Sequence, residues 1–136
     1  MQPIPAVYFK KEQGADYQAR LQLEFTHKID LRLKAVLFEL ADWMRRVLNK
    51  DLIITCLIRS VDENKAVNGK HWSAHLFARA WDMRTAHLSQ AEIDKVQEHL
   101  MAVWGKEFLF VLYHDSGSGN HIHGNITLKY AKSILT

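Results

Sequence analysis

The stretch KIDLRLKAVLFELADWMRRVLNKDLIITCLI, residues 28–58, carries two periodicities in succession. In its first part Ile29, Leu33, Val36, Leu37, Leu40, Trp43, Met44, Val47 and Leu48 recur every three or four residues. That spacing puts them on one face of a helix and predicts an amphipathic helix from about Lys28 to Asn49. From Leu52 to Ile58 the residues are continuously apolar or β-branched, as expected of a strand buried on both faces. A helix feeding a buried strand is the seed of a mixed domain.

Outward from this seed, Arg59 to Ser73 is polar and reads as a loop, and Ala78 to Arg84 reads as a strand with Ala78, Ala80 and Asp82 on one face. Ser89 followed three residues later by Glu92 is a capping box, in which each side chain satisfies an otherwise unpaired backbone donor. It predicts a helix from Gln90 to about Trp104, ended by Gly105. Phe108 to Tyr113 and His121 to Leu128 are two strands joined by HDSGSGN, a run of turn formers. On the other side of the seed, residues 6–25 alternate loosely and are expected to form short extended pieces around a turn at Gly14. The order predicts one α+β domain over residues 1–136, a small antiparallel sheet with helices packed on it.

The 136 residues, 48% of them hydrophobic, are enough to close one core without staples. The lone cysteine, Cys56, excludes an internal disulfide and a cysteine-based zinc finger. Its apolar surroundings predict a buried core thiol. The leading MQPIPAVYFKKEQ lacks the basic head and apolar run of a secretory signal, and no apolar stretch is long enough to span a bilayer. The expectation is a monomer made in the cytoplasm without a membrane anchor. A net charge of +3 and a pI near 9.0 favour an anionic partner. The charges are dispersed and not interleaved with aromatics, which argues against nucleic acid.

Chemistry concentrates in two places. His121 and His123 are two apart, so on a strand both imidazoles share a face, although such a pair can also be two solvated side chains. His75 and Asp82 flank a strand start. Two imidazoles and one carboxylate are an accepted donor set for a catalytic zinc ion and leave a position open. Asp82 could equally pair with Arg79 or Arg84, and Arg59 could be a surface ion pair. Trp72 and Trp81 suit either a groove or the core. His71, His87 and His114 sit in no matching motif, and His27 and His99 belong to predicted helices as surface or capping residues.

Three separated segments, IRSVDEN (58–64), SAHLFARAWDM (73–83) and NHIHGNI (120–126), resemble the signature regions of the lysostaphin, D-Ala-D-Ala metallopeptidase and hedgehog group. The chain is most similar to the D-Ala-D-Ala type, including compact peptidases encoded by bacteriophages. The resemblance implies a hedgehog/DD-peptidase-like fold in which His75, Asp82 and His123 hold Zn2+, with Arg59 stabilising the oxyanion and Ser73 supporting the site. It implies a peptidase acting on the stem peptide or cross-link of cell-wall peptidoglycan, as an endopeptidase or a D,D-carboxypeptidase. Such an enzyme would reach the wall with help from a membrane-permeabilising partner. Two positions depart from the pattern. Ala78 stands where the group has glycine, and Asn120 where many members carry an acidic base. The HxH form of the motif implies that His121 takes over the proton transfer, since imidazole titrates near neutral pH. The alternative is a zinc-binding structural or virion-associated domain without catalysis.

Overall fold

The computed structural model describes residues 6–67, 74–115 and 119–127. Ser73, His71, Trp72 and the middle of the 114–120 loop lie outside them, as does the expected strand end at Leu128. The elements run β1 (Val7–Phe9), α1 (Ala15–His27), α2 (Leu31–Trp43), β2 (Leu52–Cys56), α3 (Val61–Ala66), β3 (Ala80–Arg84), α4 (Gln90–Trp104), β4 (Leu109–Asp115) and β5 (Asn120–Ile126). A π-helical turn, Met44–Leu48, extends α2, and a 3-10 turn, Ala74–Phe77, precedes β3. Among the described residues the strands form one five-stranded sheet in the order β1-β2-β3-β5-β4. Only β1 and β2 are parallel, so the sheet is mixed where a wholly antiparallel one was expected.

Alternation along the strands divides the sheet into two faces. Leu52, Ile54, Trp81, Met83, Leu109, Ile122 and Ile126 enter one core with Leu21 and Phe25 of α1, Leu33, Val36, Leu37 and Leu40 of α2, and Ile93, Val96 and Leu100 of α4. Each such side chain, once buried, contributes about 1.5–3 kcal/mol relative to exposure. Trp81 is fully buried, which resolves its reading as a core residue. It lies over Gly124, its cross-strand partner, where any Cβ would enter the indole. The opposite face carries Asp82, Arg84, His121, His123 and Asn125.

Residues 15–27 are helical, not extended. The buried positions Leu21, Glu24 and Phe25 follow the helical period, but a glutamate sits in the buried stripe and conceals it. Glu24 is satisfied there by Arg20 at 3.0 Å and by the backbone N–H of Ile58 at 3.3 Å. The Arg59–Ser73 stretch is likewise not all loop. Ser60 and Glu63 form a capping box that starts α3. Arg20 grips Glu63 through both terminal guanidinium nitrogens, at 2.6 and 2.8 Å, and donates to the Ile58 carbonyl at 2.8 Å. Helix α1 therefore clamps the segment that carries Arg59. The capping box at Ser89 and Glu92 and the helix end at Gly105 stand where the sequence puts them.

Candidate metal centre

Strand β3 opens two residues after a left-handed one. Ala78 has φ +59°, and its carbonyl accepts from Asp30 N–H at the start of α2, at 3.0 Å. This bend begins β3 at Ala80 and turns the 3-10 segment back so that His75 reaches over Asp82. His75 is fully buried, and its Nε2 lies 3.1 Å from Asp82 Oδ1. Across the sheet, Asp82 pairs with His123 in register, and His123 Nδ1 is 3.0 Å from the same oxygen. His121, two residues back on the same face, brings Nε2 to 3.8 Å from it. Three imidazoles thus converge on one carboxylate oxygen. Arg79 and Arg84, the alternative partners for Asp82, are committed elsewhere. Arg79 donates to the Ile126 carbonyl at 2.7 Å, and Arg84 pairs with Glu12 at 2.6 Å.

The outer hydrogen bonds fix which ring nitrogens carry protons. His75 Nδ1 donates to the Leu57 carbonyl at 2.7 Å. His123 Nε2 donates to Asn125 Oδ1 at 2.9 Å, and Asn125 is oriented by its own Nδ2 donating to the Ile126 carbonyl at 3.1 Å. The second ring nitrogen of each, His75 Nε2 and His123 Nδ1, faces Asp82 and is the one placed to share a proton with it or to bind a metal ion. Burial works to raise the Asp82 carboxyl, but hydrogen bonds from His123 and His75 more than reverse this and hold it well below the usual carboxylate range. These three groups meet at one point, where they share protons or can hold a metal ion between them. An imidazole, a second imidazole and a carboxylate, each ring oriented by an acceptor behind it, fit a divalent ion of the zinc type.

Cys56 is not in the apolar core. A bulge between Ile54 and Cys56 lets β2 advance two residues while β3 advances one, so that Cys56 pairs with Asp82. Bulges commonly re-aim a side chain beside a site. Donor atoms of Cys56, His75 and Asp82 lie within 4.8 Å of one another, a grouping that does not include His123. Desolvation pushes the Cys56 thiol up to about 12, whereas His75 and His123 each hold a ring nitrogen against Asp82.

Arg59 is half-buried, its backbone N–H donates to the His75 carbonyl at 3.2 Å, and its charge opposes the rise of the Cys56 thiol. Asn120 is exposed at the start of β5. His114 pairs in register with His121, and the two rings are 4.6 Å apart. Burial, then the charges of His121 and His123, hold His114 below its ordinary range. His87 bonds the Asp51 carbonyl at 2.8 Å, and His27 is exposed. His99 is no surface residue: it joins α4 to α2, bonding Glu39 at 2.7 Å and stacking on Trp43.

Asn125 and His114 escape a reading based on motifs, yet each has a local signal. Asn125 continues the period-two face of His121 and His123. His114 follows from folding HDSGSGN as a hairpin.

No curated protein and no solved structure matches the chain. Among the described residues no helix is long and apolar enough to cross a membrane. The model of the peptidase M15 family matches residues 7–123, a span that takes in the bulged strand, the left-handed turn and the paired histidines; the chain belongs to this family of metallopeptidases.

Proposed function

We propose that the chain is a zinc-dependent peptidoglycan peptidase, hydrolysing a peptide bond of the cell-wall stem peptide or its cross-link. His75 Nε2, Asp82 and His123 Nδ1 would hold the ion. The observation that carries the reading is the convergence of His75 Nε2 and His123 Nδ1 on Asp82 Oδ1, at 3.1 and 3.0 Å, in a member of a metallopeptidase family.

Zinc, when bound, supplies a Lewis acid that polarises a carbonyl and lowers the pKa of water. The protein supplies proton transfer and charge. His121 Nδ1 faces the Gly119 carbonyl at 3.2 Å; donation there leaves Nε2 as the acceptor, 3.8 Å from Asp82. That nitrogen takes a proton from the attacking water and returns it to the leaving amine, the work of an acid in other members. Arg59, held by the α1 clamp, stabilises the developing oxyanion. The positive pI suits an anionic wall polymer.

A second reading is favoured by Cys56. With sulfur as a fourth protein ligand the site would be closed, as in structural zinc sites, and the domain would be a metal-stabilised structural component without hydrolysis.

The test is incubation of isolated peptidoglycan with zinc-loaded protein, with and without chelator, followed by mass spectrometry and titration of new amino groups. New amines that vanish with chelator and return with zinc are expected. Folded, zinc-loaded protein that releases none would overturn the peptidase reading and leave the structural one.

A further inference from the structure

The open face of the sheet carries a second row of side chains beside the metal centre. Tyr8 pairs with Ile53 across β1 and β2, and Arg84 pairs with His121, which pairs with His114, across β3, β5 and β4. At the β1 end of this row is a cavity of about 330 Å³ lined by Tyr8, Lys11, Glu12, Asp51, Ile53 and Arg84 among others. Arg84 is two residues from Asp82 on the same face, or about 7 Å at roughly 3.3 Å per residue. An extended peptide crosses that distance in about two residues.

The lining has an unusual balance. Lys11 and Arg84 supply two cations, Glu12 and Asp51 two anions, so a simple anion or a simple cation gains on one side and is opposed on the other. Arg84 and Glu12 are paired at 2.6 Å, with Glu12 more than half exposed, and Asp51 is held by Arg45 at 2.9 Å. An α-amino-acid head group, with ammonium and carboxylate on one carbon, matches such a pair charge for charge. Its carboxylate takes the planar guanidinium fork and its ammonium takes the glutamate. Tyr8, exposed to 45%, and Ile53 provide apolar surface for the methylenes leading to it.

We propose that this cavity is a substrate subsite for a peptide side chain ending in a free α-amino-acid zwitterion, as in a diaminodicarboxylic acid, with Arg84 and Glu12 as the reading pair. The inference rests on the peptidase reading and names the substrate class of that site. His121 belongs to the same row, so a side chain anchored on Arg84 delivers its backbone to the proton-transfer group. Cell-wall peptides with a plain lysine at that place lack the carboxylate and leave Arg84 unanswered.

Three matched synthetic peptides test it: one with the diaminodicarboxylate side chain, one with lysine, and one with the side-chain carboxylate amidated. Binding to zinc-loaded protein is measured by calorimetry and turnover as kcat/KM. The wild type should favour the zwitterionic peptide by about tenfold or more over both others, the size of one charge-assisted hydrogen bond. Arg84→Ala should erase that preference, and Arg84→Lys should restore part of it. Equal binding of the three peptides by the wild type, or a preference that survives Arg84→Ala, would overturn the subsite. Selective binding without hydrolysis upholds the subsite and refutes the peptidase reading. Hydrolysis of all three with equal efficiency refutes the subsite alone.

Discussion

Asn125 Oδ1 lies 2.9 Å from His123 Nε2 and holds the ring so that its other nitrogen faces Asp82. Partners of this kind typically change metal affinity by about 10–100-fold when removed. Asn125→Ala should weaken zinc binding by that factor in competition with a chelating dye. Asn125→Asp keeps an acceptor and should retain most of the affinity. Unchanged affinity in the alanine variant would mean that the ring is held by packing alone.

Ala78 occupies a glycine conformation at φ +59°. The left-handed region costs an L-residue about 1–2 kcal/mol, and glycine gives back part of that through its freer unfolded chain, about 0.4–1 kcal/mol. Ala78→Gly should therefore raise unfolding free energy by about 0.5–1 kcal/mol, and Ala78→Val should lower it. Urea titrations of the three proteins decide the matter; destabilisation by glycine would show that the alanine methyl makes a compensating contact.

Gly124 has the reverse requirement. Its missing side chain is the space that Trp81 fills, so Gly124→Ala must displace a fully buried indole. Overpacking of this sort costs about 1–3 kcal/mol. A shifted near-ultraviolet circular dichroism spectrum should accompany the loss, because the indole moves.

The Arg20 clamp has an acid limit. Hydrogen bonding by Arg20 is the main cause that lowers the Glu63 carboxyl from its ordinary 4.5 to about 2. A carboxyl depressed in the folded state contributes stability that is complete above about pH 4.5 and fades as pH falls toward 2. Thermal unfolding of wild type and Glu63→Gln should differ at neutral pH and converge across that window. A constant difference from pH 6 to pH 2 would assign the loss to the capping geometry, not to charge.

Most of the architecture could be read from spacing. The apolar period through Leu33, Leu37 and Leu40 gives α2, Ser89 and Glu92 give the start of α4, and the two-residue interval of His121 and His123 gives their shared face. The same capping signal at Ser60 and Glu63 announces α3 but is diluted by the polar residues around it. Helix α1 was hidden because Glu24 occupies a buried position, and its compensation by Arg20 and Ile58 is a tertiary fact with no local trace. The site divides in the same way. His75, Asp82 and His123 were nameable from residue type and family pattern. That Cys56 faces them depends on a bulge, and a one-residue slip in pairing reverses the face on which every later side chain stands. The Cys56 expectation of a core thiol failed for that reason.

Metal content after desalting tests most directly whether His75, Asp82 and His123 hold one divalent ion. Purified wild-type protein should carry one equivalent of zinc, and His121→Ala should keep it while losing turnover. His75→Ala, Asp82→Ala and His123→Ala should each come off the column nearly metal-free yet folded by circular dichroism. A full equivalent of zinc in any of these three variants would contradict the assignment.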